Sequence, residues 1–201
     1  MGKIALYFGM RGEGKSTLVN SICRMFGPKA IYYDPQGEVP QGVAYHSYTP
    51  RDGYSIAEVE RCLKIWLDDG QYRLIVVDEL NRYCPSKPAT LPLQFKRLND
   101  DCRHKNVDFI GIARRPCQVN QDITELADEL DIFFLRGRND LKYLDNINDG
   151  LARRVTELAP HHYIRYTGRQ ILTCAPVVID SAWDKRESRH KQVVNRESAR
   201  R

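Results

Sequence analysis

Gly9-Met10-Arg11-Gly12-Glu13-Gly14-Lys15-Ser16 follows the apolar run Ile4-Ala5-Leu6-Tyr7-Phe8. The octapeptide fits the pattern GxxxxGK[ST]. The run before it is short, apolar and closed by Gly9, so it reads as a buried strand. After it, Leu18, Ile22, Met25 and Phe26 recur at helical spacing until Gly27-Pro28 ends the helix. Strand, glycine-rich loop and helix in that order make a phosphate cradle. The glycines let the backbone fold tightly, so that its N–H groups converge on phosphate oxygens. The helix that begins near Lys15 presents its positive end to the same anion. Lys15 reaches β- and γ-phosphates as a mobile point charge, and Ser16 supplies a hydroxyl to Mg²⁺. A glycine-rich turn that matched by chance would lack this frame. The candidate contacts to ATP are therefore Gly9, Met10, Arg11, Gly12, Glu13, Gly14, Lys15, Ser16 and Thr17.

Outward from this loop, strands alternate with helices. Ala30 to Tyr33 reads as a second strand, and residues 39–53 as mostly loop with a short strand at Val43–His46. Ile56, Val59, Leu63, Trp66 and Leu67 mark a helix that stops at Gly70. Leu74-Ile75-Val76-Val77 is a β-rich run ending in Asp78-Glu79. Leu91, Phe95, Leu98 and Cys102 form another helical stripe. Phe109 to Ala113 and Ile132 to Leu135 read as strands, Leu141 to Ile147 as a short helix. Tyr163–Tyr166 and Gln170–Cys174 flank Thr167-Gly168-Arg169 as a hairpin. Such alternation implies an α/β fold with a mostly parallel central sheet, helices on both faces and a C-terminal β-hairpin.

The run into Asp78-Glu79 carries the second half of the chemistry. Asp78, at the C-terminal end of a sheet strand, would sit beside the phosphate loop and hold the Mg²⁺ shell. Glu79 would orient and polarise an attacking water. Phosphoryl transfer to a hydroxyl does not need that second carboxylate, so the pair favours hydrolysis. The alternative is that Glu79 only opens a surface loop.

Composition narrows the class. With 201 residues the chain has room for one sizeable core, not two ordinary domains. No stretch approaches the length of a membrane span, and the N-terminus does not read as a secretory signal. Six cysteines without a CxxC argue against a zinc ribbon or thioredoxin-like site and fit a reducing, intracellular compartment. Residues 185–201 hold seven basic and two acidic side chains, and so carry the whole net charge of +5. Residues 1–180 are expected to form the motor domain and 181–201 a flexible basic tail for a polyanion or acidic partner, or simply a frayed terminus.

Ordered segments suggest a family. Asp34-Pro35-Gln36-Gly37-Glu38 resembles the "DPxGE" segment after the second strand of the HerA–FtsK superfamily of DNA-pumping ATPases. Ile112-Ala113-Arg114-Arg115-Pro116 resembles that superfamily's "ASQRP" segment after the sensor strand. Asp78-Glu79-Leu80-Asn81-Arg82-Tyr83-Cys84-Pro85 is similar to "DEAHRFCP", and Cys102 to Val107 to "GRKYGI". The resemblance spans roughly residues 3 to 175. It implies a P-loop NTPase of the additional-strand, catalytic-Glu type. Cellular HerA carries an extra N-terminal barrel and FtsK carries membrane helices and a winged helix. A motor this bare resembles the genome-packaging (A32-type) ATPases of membrane-containing icosahedral viruses and phages.

That resemblance implies ATP and Mg²⁺ as cofactors and double-stranded DNA as the moved substrate. It also implies a homo-oligomeric ring of five or six subunits, with capsid or virion membrane proteins as partners at a packaging vertex or in the host cytoplasm. Arg103, matching the arginine of "GRKYGI", is expected to act on the neighbour's γ-phosphate, with Arg136 and Arg138 as alternatives; equally, Arg103 could only cap its own helix C-terminus. The sequence departs from the family at Arg114, where a polar Gln or Asn is usual. An arginine only donates and brings a full charge, so Arg114 either senses the γ-phosphate or, with Arg115, holds nearby carboxylates. Filamentous-phage assembly ATPases, plasmid or cellular DNA pumps, a nucleoside or small-molecule kinase and a non-hydrolysing nucleotide-gated module remain open.

Overall fold

The computed structural model describes residues 2–178. The basic segment 181–201, and the boundary drawn before it, lie outside the described residues. Eight strands form one sheet: β1 Ile4–Phe8, β2 Ala30–Tyr33, β3 His46–Tyr48, β4 Leu74–Val77, β5 Asp108–Ala113, β6 Glu129–Phe133, β7 Tyr163–Tyr166 and β8 Ile171–Cys174. Their order is β3-β2-β4-β5-β1-β6-β7-β8. The first six run parallel, and β7 and β8 add antiparallel at one edge. β5 lies between the phosphate-loop strand β1 and the acidic strand β4, which is the additional strand of the expected fold type.

The parity of the strands builds two cores. Leu6 and Phe8, Ile75 and Val77, and Phe109 face one side; Tyr7, Leu74 and Val76, and Ile110 and Ile112 face the other. Continuous apolar strands of this kind need cover on both faces. The first face is packed by α2 Ile56–Asp69, α4 Leu93–Lys105 and α7 Leu151–Thr156, with Leu144 of α6 Arg138–Ile147. The second is packed by α1 Lys15–Phe26 through Val19 and Cys23. Ser55 caps α2 by accepting from the Glu58 N–H, and Gly70 closes it in the left-handed region. Two short helices, α3 Leu80–Tyr83 and α5 Gln121–Leu126, complete the described set. Cys23, Cys62, Cys84 and Cys102 are buried free thiols that pack as small hydrophobes.

Several expectations are corrected. The buried stripe of α1 is Lys15, Val19, Asn20 and Cys23, while Met25 is 79% exposed. Leu18, Ile22 and Phe26 pack, partly buried, against the second core, so of the four spaced apolar residues only Met25 stands away from it. The strand expected at Val43–His46 lies at His46–Tyr48. It is an edge strand whose side chains are largely exposed, so its place is set by backbone pairing with Ile31–Tyr33 and not by its own pattern. The strand expected at Ile132–Leu135 begins at Glu129. Asp131 within it is wholly buried, and the arginine that makes this tolerable, Arg165, faces it from β7. The stripe begun at Leu91 is buried as expected, but Leu91 precedes α4 itself.

Candidate active site

The rim formed by the C-terminal ends of the parallel strands gathers the candidate residues. The loop leaves β1 at Gly9, whose φ of +149° is unusual for a side-chain-bearing residue, and a Cβ there would stand 2.5 Å from the Phe133 Cβ. Gly14 turns into α1 with φ +102°. No side chain caps that helix, and its first turn holds no acidic residue. A helix start of this kind offers its positive end to an anion. Lys15 is 7% exposed, and its Nζ donates to the carbonyls of Gly9 and Met10 at 2.7 Å each. A buried ammonium folded onto its own loop carries a positive charge to the centre of the cradle. Ser16 and Thr17 follow on the same turn, half-buried.

β4 delivers Asp78 and Glu79 to the same rim. Asp78 Oδ2 accepts from the Tyr32 hydroxyl at 2.9 Å, and Oδ1 accepts from the Glu79 N–H at 2.7 Å. Burial pushes the Asp78 carboxyl up to about 6, against the pull of those two donors. A carboxylate whose charge burial disfavours gains from a nearby cation, and this chemistry fits a magnesium held by Asp78 and the Ser16 hydroxyl. Glu79 sits in the left-handed region at φ +51° and N-caps α3. That conformation is uncommon for a residue other than glycine and clusters at functional positions.

The Glu79 carboxylate is already engaged. Its Oε1 accepts from Gln36 Nε2 at 2.7 Å and from Arg114 Nη2 and Nε at 2.8 and 3.2 Å. Arg114 thus comes from the end of β5, and Gln36 from the turn after β2, to grip one oxygen. Arg115 bonds the buried Asp140 of α6 at 3.0 Å. Both arginines hold carboxylates, which was one of the two readings the sequence allowed. Sequence reasoning missed Gln36 and Tyr32 as site residues. Gln36 lies at the variable position of the "DPxGE"-like segment, and Tyr32 is placed by its register beside Val76, so only the pairing of β2 with β4 reveals either.

Arg103 is not brought to this rim. It lies in the last turn of α4, just before β5 begins at Asp108, and its Nη2 is 3.8 Å from Asp128 ahead of β6. β5 has six residues, so the length of a strand, about 20 Å, separates that rim from the phosphate loop. Arg136 and Arg138 instead follow β6 at the phosphate rim and are exposed; Phe134 between them and β6 accepts from the Met10 N–H at 3.1 Å.

Comparison with solved structures agrees on the fold. The genome packaging NTPase B204 of Sulfolobus turreted icosahedral virus 2, in complex with ATP-gammaS, superposes with a TM-score of 0.72 at 16% identity, covering 88% of this chain and 98% of that one. The DNA-packaging ATPase B204 of Sulfolobus turreted icosahedral virus gives 0.74 at 16% identity over the same shares. The N-terminal domain of zonular occludens toxin from Neisseria meningitidis gives 0.57 at 14% identity, covering 91% and 97%. Neither a protein-family model nor a curated protein sequence matches the chain. At these identities the likeness is one of fold.

Proposed function

We propose that this chain is an ATP-hydrolysing motor that moves double-stranded DNA, packaging viral DNA into a preformed capsid. The observation that carries hydrolysis is the paired carboxylate end of β4 on the rim of the phosphate loop, with Glu79 held ready by two donors. Lys15 would exchange the carbonyls of Gly9 and Met10 for β- and γ-phosphate oxygens. Ser16 and Asp78 would hold magnesium, which when bound neutralises charge on those oxygens. Glu79 would orient the water and take up its proton once Gln36 and Arg114 release Oε1. Phosphoryl transfer to a hydroxyl does not require the second carboxylate beside Asp78, which ranks the kinase reading second.

The DNA part rests on the fold shared with packaging NTPases and on the net +5 of residues 185–201. Those seven basic side chains would add affinity without reading sequence and with steep salt dependence. No described helix is long and apolar enough to cross a membrane.

Phosphate release from ATP, with and without double-stranded DNA, tests the reading. Turnover should be lost in Lys15→Ala and should rise with DNA. No response to DNA sinks the translocase, and a requirement for an added nucleoside acceptor moves the protein to the kinases. In a ring, an arginine supplied by the neighbour would complete the site. Arg103, Arg136 and Arg138 are separated by mixing each alanine variant with Lys15→Ala. The residue acting in trans is the one whose inactive variant recovers turnover on mixing.

A further inference from the structure

The rim opposite the phosphate loop carries an open cavity of about 580 Å³. Its floor is the beginning of β6 and the end of antiparallel β7, where Leu130 pairs with Tyr166. α5 forms one wall through Glu125, and α6 forms the other through Tyr143 and Ile147. Small-molecule sites run from about 300 to 1,000 Å³ and combine apolar surface with a few placed polar groups.

The lining selects a kind of ligand. Tyr143 and Tyr166 are half-buried, and Leu130 and Ile147 add apolar surface. Glu125 and Asp128 bring carboxylates, and no lysine or arginine is among the described residues that line the cavity. The stretch 121–131 around it holds five acidic residues and no basic one. Four of the five are matched from elsewhere in the fold: Asp122 by Lys87, Asp128 by Arg103, and Glu129 and Asp131 by Arg165. Glu125 has no ion pair among the described residues; its Oε1 accepts from Gln121 Nε2, one turn away, at 3.0 Å. Burial raises the Tyr143 hydroxyl above its ordinary value, and the nearby charge of Glu125 adds to the rise. An unmatched carboxylate beside aromatic faces attracts a cation, and an apolar stem on that cation would cover the rest of the lining. A small hydrated metal ion would leave the apolar surface unused. No cluster of three side chains able to hold a metal is present among the described residues.

We propose that this cavity binds an organic cation, an alkylammonium or alkylguanidinium group on an apolar stem, with Glu125 as its counter-charge and Tyr143 and Tyr166 as its aromatic walls. Such a site would exist whether or not the phosphate loop takes a triphosphate. Two sources have this chemistry. One is a free polyamine. The other is a lysine or arginine of residues 185–201, where the sequence concentrates seven basic side chains.

Agmatine is the probe, its binding to the full chain read by calorimetry at low salt. It carries a guanidinium and an ammonium on an alkyl stem; Mg²⁺ has the same charge and no stem. Mg²⁺ should displace it only at about ten-fold higher concentration or above. Glu125→Gln should weaken agmatine about five- to ten-fold, and Tyr143→Leu about three- to ten-fold. Glu157→Gln, which alters an exposed acid outside the cavity, should change nothing. A full-length variant with the seven basic residues of 185–201 changed to glutamine separates the sources. If that segment fills the cavity, this variant should bind agmatine about ten-fold more tightly than wild type. An affinity equal to that of wild type assigns the cavity to a free polyamine. The site is overturned if agmatine binds neither chain, if Glu125→Gln leaves its affinity unchanged in the chain that binds it, or if Mg²⁺ displaces it at equal concentration.

Discussion

Two arginine–carboxylate pairs sit on opposite sides of β1, and their bond lengths are nearly the same. At the antiparallel edge, Arg165 of β7 forks onto both oxygens of Asp131 at 2.9 and 2.8 Å, directly across the strand register. At the phosphate rim, Arg114 reaches a single oxygen of Glu79 and shares it with Gln36. Asp131 is wholly buried, and burial raises its carboxyl even against the opposing pull of Arg165. The Arg114 side chain is 49% exposed, and Glu79 sits in a strained backbone. A fork on a buried acid cannot open without leaving a charge unpaired in the core. A one-oxygen grip by a half-solvated arginine opens more easily than the fork, and Gln36 stays on the 11% exposed Glu79 carboxylate when it does. The same two side-chain types therefore make a fastener in one place and a catch in the other, and burial decides which.

The largest expected effect lies at the catch. Glu79→Gln removes the charge that would polarise water while keeping the shape that Gln36 and Arg114 grip. Turnover should fall about 100- to 1,000-fold with ATP binding retained. Near-normal phosphate release would remove Glu79 from the chemistry. The fastener should fail differently. Arg165→Met strands Asp131 and should cost about 3 kcal/mol in denaturant unfolding, with turnover per folded molecule unchanged. Adding Asp131→Asn should return much of that loss, because it removes the stranded charge. If the single substitution is silent, the pair is not what holds the edge.

Asp78 sharpens the contrast in pH. Its carboxyl is raised from 3.8 to about 6 in the fold, so the native state binds the extra proton in that interval. Stability from this group is greatest below the unfolded value and falls as pH rises through about 6. Asp78→Asn should stabilise the fold at pH 7 by on the order of 2 kcal/mol. It should also flatten the melting-temperature profile between pH 4 and about 6, while abolishing magnesium-dependent turnover. A destabilised Asn variant would mean that the Tyr32 and Glu79 N–H bonds outweigh the burial. The smallest effect is at Arg114→Gln. Unfolding should change by about 1 kcal/mol or less, since Arg114 is half solvated and Gln36 still holds the buried Glu79 carboxylate. Turnover without DNA should rise a few-fold as Oε1 of Glu79 keeps only Gln36; a fall would place Arg114 on the phosphate instead.

What could be read from the chain alone was whatever depends on neighbours in sequence. The phosphate loop needs only a strand, correctly spaced glycines and a helix start, so Gly9 to Thr17 were legible as a unit. So was Asp78-Glu79, because an apolar run ending in two acids marks where a buried strand meets the rim. Alternating elements specified the parallel sheet and its hairpin edge. Partnership across the sheet was not legible. A buried Asp131 reads as a loop residue until β7 sets Arg165 opposite it. Gln36 and Arg114 lie 78 residues apart, yet β2 and β5 flank β4 and bring both to Glu79. Arg103 lies on the rim opposite the phosphate loop, a position that the direction of α4 sets and its local sequence does not. Local pattern encodes hydrophobic period and turn chemistry within a few residues. Which distant side chains share a rim, and whether a charged pair is buried or solvated, depends on strand order and helix direction. Only the packed sheet determines those.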